Sequence, residues 1–265
     1  MNHITSVDAY PSHDRSPSGM KAPAKTAYRS KIVRVDDLAE ERAAEMSALY
    51  LRHYAGSSDA LFRADLNEKD EVLLVFNGDS LIGFTTIKVY EVEWQERLTG
   101  IVFSGDTIVD PRHWGQRELA FAWLEYVGSI KAGAPARPLY WFLLVKGHRT
   151  YRYLSVFAWR FHPCWHDGDA QQLKPLADFL AGARYGSNYD MQTGVVAFAE
   201  SRGHLRPEIA RPDPAELERE DVRFFLERNP GYLHGSELVC ICELSVANLK
   251  PMAARFFQRA NAVRG

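Results

Sequence analysis

Lys31 to Val35 alternates apolar and charged positions, as a short edge strand does. Asp37 stands three residues before Glu40, the spacing of a reciprocal helix cap, and Leu38, Arg42, Met46, Leu49, Tyr50 and His53 then recur on one face as far as Gly56, all but Arg42 suited to packing. This predicts a helix packed along one side. Glu71 to Phe76 is a β-branched and leucine-rich run. Asn77-Gly78-Asp79 supplies residues that tolerate positive φ, and Leu81 to Tyr90 resumes the strand, so the three segments predict a hairpin. A polar connection around Glu93 to Arg97 leads into a further strand, Leu98 to Val109, which Pro111 closes.

From His113 to Ile130 the positions Leu119, Trp123, Tyr126, Val127 and Ile130 form a helical stripe that Gly133 and Pro135 end. Leu139 to Val145 is nearly all apolar, the pattern of a strand covered on both faces, and Arg149 to Phe157 suits a following helix. Beyond it the pattern predicts helices over Gln171 to Leu180, from Asp213-Pro214 to Asn229-Pro230-Gly231, and over Leu249 to Ala260, with a strand over Glu237 to Leu244. The organisation expected is a flexible tail over 1–30, a core over 31–165 and an extension over 166–265 that completes or covers it.

Composition narrows the picture. A chain of 265 residues, 46% hydrophobic and 25% charged, excludes a disordered protein and a small disulfide-stapled one. With 32 basic and 34 acidic residues the net charge is -2, so no global field recruits nucleic acid or an anionic membrane. Cys164, Cys240 and Cys242 are too few for a disulfide framework, which points to a reducing compartment and a cytoplasmic location. The longest apolar run ends at Lys146, well short of the roughly 20 residues of a membrane span, and the first thirty residues lack the apolar segment of a secretory signal.

The chemistry concentrates where Ile108-Val109-Asp110-Pro111 runs into Trp114-Gly115-Gln116-Arg117 and then a helix. Free backbone N–H groups and the positive end of a helix dipole form an anion site at such a junction. This motif and the element order, over roughly Lys31 to Pro163, resemble the Gcn5-related N-acetyltransferase superfamily. The resemblance implies an α/β fold, a mixed and mainly antiparallel sheet flanked by helices, and an acyltransferase that moves an acyl group from a thioester to the amine of a small-molecule acceptor.

The resemblance also assigns residues. Ile108, Val109, Trp114, Gly115, Gln116 and Arg117 would bind the donor, an acyl-CoA carrying acetyl or a longer chain. Val109, Pro111 and Gly115 match the family pattern, whereas Arg117 and Leu119 stand where it has further glycines and Trp114 replaces an arginine. A carboxylate on that strand, Asp106, would take the amine proton, with Ser104, Glu91 and Glu93 binding the acceptor. The family's proton-donating tyrosine would fall at Val156 or Phe157, so Tyr153, or Tyr151 beside it, is the substitute. N-acyl amino acid synthases and homoserine-lactone synthases resemble the superfamily, do without the glycines and take long acyl chains from acyl carrier protein, which makes a carrier-bound phosphopantetheine thioester the alternative donor. A non-catalytic acyl-ligand-binding module is the other alternative.

Plainer readings stand beside these. Arg112, Arg117 and Lys146 form either a phosphate patch or a solvated rim. His162, Cys164, His166 and Asp167 lie within six residues but lack a second pair at metal-site spacing, so a turn is expected there and no metal. Phe179, Phe198, Phe224, Phe225 and Tyr232 suit an acyl tunnel, a lid or plain core. The face on which Asp106 lies depends on strand register, since a slip of one residue reverses it.

Overall fold

The expected hairpin supplies the second and third strands of the sheet. A computed structural model describes residues 28–166 and 168–262, and in it Glu71–Asn77 (β3) and Ser80–Trp94 (β4) pair antiparallel about Gly78 at φ +59°. Before them come β1 (Tyr28–Arg34), α1 (Glu40–His53), β2 (Tyr54–Ala55) and α2 (Asp59–Leu66). After them come β5 (Arg97–Val109), α3 (Glu118–Gly133), β6 (Leu139–Val145), α4 (His148–Phe157) and α5 (Lys174–Tyr185). The chain continues through β7 (Tyr189–Asp190), β8 (Val195–Val196), β9 (His204–Leu205), α6 (Pro207–Ala210), α7 (Pro214–Leu217), α8 (Glu220–Arg228), β10 (Glu237–Glu243) and α9 (Pro251–Ala262).

Eight of the described strands form one sheet in the order β1-β3-β4-β5-β6-β10-β8-β7. Only β5 and β6 run parallel, so the fold is α/β with a mixed, mainly antiparallel sheet. Helices cover both faces. On one, Leu73, Val75, Val102 and Trp141 pack with Trp123 and Val127 of α3, Leu154 of α4 and Phe257 of α9. On the other, Val72, Leu74 and Phe84 pack with Met46 and Leu49 of α1, and Ile101, Phe103 and Ile241 with Leu176 and Leu180 of α5. β3 therefore reads as an unbroken apolar run because both its faces are buried.

Local departures from the sequence pattern have local causes. Val35–Asp37 closes its own 3-10 turn, so Ala39, not Asp37, precedes α1, and no side chain caps it. Ser58 caps the unanticipated α2 by accepting from the Leu61 amide at 3.2 Å. α3 starts at Glu118 rather than near His113, because Pro111–His113 is a separate 3-10 turn and Gly115 takes φ +91°. The last hundred residues join the same sheet: β10 pairs with β6 from Leu238↔Val145 to Glu243↔Tyr140. Of the tail expected over 1–30, residues 28–30 belong to β1 and the rest lies outside the described residues. No helix among the described residues is long and apolar enough to cross a membrane.

Candidate active site

β5 and β6 pair only from Gly100↔Leu139 to Ser104↔Leu143. Past that rung β5 stays with β4 and β6 stays with β10, so the two strands diverge. The divergence coincides with a bulge. Thr85 pairs with Thr107 and Ile87 with Ser104, leaving Thr86 opposite both Gly105 and Asp106. The extra residue changes which face each side chain takes: Ile101 and Phe103 face α5, and after the bulge Asp106 lies on that same side, as does Ile108. A cavity opens on each face, about 600 Å³ beside α1, α2 and α5 and about 680 Å³ beside α3 and α4. Both are lined by Thr107, Gly147, Thr150 and Leu205, so they meet at the gap.

On the α3–α4 side the strand offers main chain. The Asp110 amide donates to Ile82 O at 2.8 Å. The two-residue alternation of an antiparallel ladder then aims the Ile108 amide at β4 as well, and turns those of Thr107 and Val109 into the gap. The Val109 carbonyl, on the same edge, contacts His53 Nε2 at 3.2 Å and accepts from Trp114 Nε1 at 2.9 Å. Beside it the start of α3 presents amides. Gln116 Oε1 accepts that of Leu119 at 3.2 Å, and the others of the first turn have no acceptor inside the helix. A Cβ on Gly115 would meet nothing within 4 Å, so this corner is open. Leu119, at one of the family's glycine positions, turns its side chain into the core and does not obstruct it.

Arg117 and Arg152 are exposed on this cavity, and among the described residues neither guanidinium has a hydrogen bond or ion pair. Arg149 instead stacks over Trp114 at 4.4 Å and bonds Glu216 at 2.7 Å. Tyr153 lines the same cavity with its ring against Phe157, and its hydroxyl has no hydrogen-bond partner among the described residues. Burial raises its phenol pKa. Tyr151 is fully buried and donates to Pro163 O at 2.7 Å, which fixes it as a structural residue.

On the other side Asp106 has no hydrogen bond or ion pair among the described residues. Burial first, then the nearby charge of Asp65, pushes its carboxyl up to about 7, against the opposing pull of Lys146 and Lys69. Lys146 Nζ lies 3.4 Å from Glu237, and both side chains are largely buried. Burial pulls the Lys146 ammonium down, but Glu237 and Asp106 more than restore it. Tyr50 and Tyr54 stack at 4.4 Å along the wall.

The structure thus brings Asp106 and Ser104 to one cavity, and Ile108, Val109, Trp114, Gly115, Gln116, Arg117 and Tyr153 to the other. Ser104 is buried and its Oγ accepts from Trp141 Nε1 at 2.9 Å. Glu91 and Glu93 line neither cavity. They pair with Gly100 and Leu98 toward the β4–β5 turn, whereas the gap opens at the opposite end of β5, and Glu91 is tied to Arg137. Arg112, Arg117 and Lys146 do not form one patch: Arg112 forks onto Asp110, holding that carboxyl down at about 2, and Lys146 belongs to the Asp106 side. His53, Tyr50, Arg149, Arg152, Glu237 and Arg202 also line these cavities. Tyr50 and His53 stood on the α1 stripe, where their periodicity signalled packing alone.

No protein-family model matches the chain, and no curated protein matches it. Among solved structures, part of it is similar to a probable N-acyltransferase from Enterococcus faecalis V583, at 14% identity and a TM-score of 0.38 over 58% of this chain. The match takes in 43% of the Enterococcus protein, so the chain spans less than half its length. A GNAT family N-acetyltransferase, YhbS, from Escherichia coli in complex with CoA is similar at 20% identity and a TM-score of 0.36, over 51% of this chain and 71% of that one. An aminoglycoside acetyltransferase from an uncultured soil metagenomic sample, in complex with sisomicin, is similar at 13% identity and a TM-score of 0.32, over 44% of this chain and 76% of that one.

Proposed function

We propose that the protein transfers an acyl group from a thioester to an amine, with the donor on the α3–α4 side of the sheet and the acceptor on the Asp106 side. The observation that carries this reading is the gap between β5 and β6, where two cavities of opposite faces meet beside unpaired main chain. Such a gap lets two molecules enter from different sides and hold their reacting atoms together, which lowers the barrier without any covalent enzyme intermediate. The donor is acyl-CoA. Its pyrophosphate suits the first-turn amides of α3 and the unpaired Arg117 and Arg152, and its amide-bearing pantetheine arm suits the β5 edge at Thr107 and Val109.

The step balances as a direct displacement. The amine nitrogen bonds to the thioester carbonyl carbon, and the oxygen that becomes negative is met by the Val109 amide. The adduct's ammonium proton passes to the Asp106 carboxylate, the C–S bond breaks, and the Tyr153 hydroxyl supplies a proton to the departing thiolate; the cycle closes when the Tyr153 phenolate regains a proton from water and Asp106 releases its own. A carboxyl pushed up to about 7 suits the first transfer, since it is a far stronger base than an ordinary aspartate and still ionises near neutral pH. The experiment is to follow thiol release from acetyl-CoA, palmitoyl-CoA and an acylated carrier protein with and without a panel of amines. Amine-dependent release supports transfer, and the preferred donor separates CoA from carrier protein. Donor binding without release from any combination would leave the non-catalytic module in its place.

A further inference from the structure

The charges of the Asp106 cavity neutralise one another almost completely. Lys146 pairs with Glu237 at 3.4 Å and Arg184 with Glu68 at 2.8 Å. Asp65 is taken by Lys69, whose buried ammonium lies 2.6 Å from its carboxylate. Two groups on the wall are left over, the carboxyl of Asp106 at the gap and the guanidinium of Arg202, and among the described residues neither has a hydrogen bond or ion pair. A residual pair of opposite sign is what a ligand of matching, opposite polarity completes.

Arg202 is held in place. Its guanidinium lies 4.3 Å from the centre of the Phe198 ring, which packs in turn on Tyr185 of α5. The next residue, Gly203, has φ +92°, and a Cβ there would run into Ser57 and the Tyr50 hydroxyl, so the backbone is pressed against the α1–α2 connection. His204 and Leu205 then pair with Ala55 and Tyr54. The loop is thereby anchored at both ends of the arginine, with an aromatic ring beneath it and, as the protein anion that feels its charge, only Glu237, which is already paired with Lys146, a geometry that suits a planar carboxylate.

We propose, building on the acyltransferase reading, that the acceptor is a small molecule carrying both the reacting amine and an anionic group, with a carboxylate as the simplest case. The amine sits at Asp106 and the anion at Arg202. An amino-acid-type acceptor satisfies both groups, whereas a polyamine or basic sugar would bring a second cation toward Arg202 and meet only carboxylates already paired. The stacked tyrosines 50 and 54 line the apolar part of the path.

The test compares matched pairs, phenylalanine with phenethylamine, tyrosine with tyramine and lysine with cadaverine, using acetyl-CoA, palmitoyl-CoA or an acylated carrier protein and reading thiol release. The carboxylate-bearing member is expected to have the higher kcat/KM. Arg202→Ala should raise that member's KM by about 10- to 100-fold with kcat nearly unchanged, the loss of a charge-assisted contact, and Arg202→Lys should recover part of it. Thermal denaturation of both variants at the wild-type temperature keeps the comparison free of folding effects. Equal or better use of the plain amines, or a KM untouched by Arg202→Ala, overturns the inference and leaves the acyltransferase reading intact. Release of no thiol with any donor and acceptor overturns both.

Discussion

Asp106 is a carboxyl placed where folding makes its charge costly. With its pKa pushed up to about 7 by burial, its protonated form is favoured by the native state relative to the unfolded chain. The sign follows: the group contributes stability that is fully present below the ordinary carboxylate range and is lost as pH rises through about 7. Asp106→Asn, which carries no charge, should therefore unfold at a higher temperature than wild type at pH 8, with the difference fading toward pH 4; thermal melts across that range decide it. The same substitution should lower kcat by about 10²- to 10⁴-fold, and the wild-type rate should rise with pH through about 7. A pH-independent rate between 6 and 8 contradicts the assignment. Arg117→Ala should weaken acyl-CoA binding by about tenfold or more without lowering the melting temperature, because the side chain is exposed and unpaired. Calorimetric titration with CoA is the check. The residue types were legible in the sequence, but the face was not. Asp106 joins the side of Phe103 only because of the bulge at Gly105, and a glycine inside a strand pattern was the one available hint.

At the level of elements, local chemistry was readable and distant pairing was not. Asn77-Gly78 announced the β3–β4 turn because the backbone there needs positive φ, and the apolar run of β6 announced a strand buried on both faces. That β10 lies beside β6 rests on Leu238↔Val145 and its neighbours, contacts between segments far apart in the chain that periodicity does not encode. That Glu91 and Glu93 lie at the end of β5 away from the gap is illegible for the same reason, since the end that splays is the one where β6 stays with β10. The packing of α3 on α9 offers a sharp mechanical test. A Cβ at Gly128 would overlap the Phe257 carbonyl, and that oxygen is backbone. Gly128→Ala should cost about 3 kcal/mol or more in urea denaturation, near the upper end for overpacking, by forcing the helices apart. A change within about 0.5 kcal/mol, the ordinary scatter of surface substitutions, would show that the helices pack otherwise.

For the whole molecule, the arrangement puts the sheet between two cavities and joins them at one break in its hydrogen bonding. The final hundred residues are part of that arrangement: β10 holds β6 away from β5, α5 supplies Arg184 and Tyr185 to one cavity, and the segment around Arg202 closes its side. A chain truncated after Cys164 would leave the apolar edge of β6 unpaired, and it should aggregate instead of giving a dispersed amide spectrum. The central claim, that donor and acceptor approach from opposite faces and meet at the gap, is tested most directly by hydrogen–deuterium exchange of the full chain with CoA. Slowed exchange is expected over residues 107–120 and 147–156, with residues 57–66 and 198–203, which line only the Asp106 cavity, unchanged. Protection confined to the second set, or none anywhere at a CoA concentration that calorimetry shows to be saturating, would contradict it.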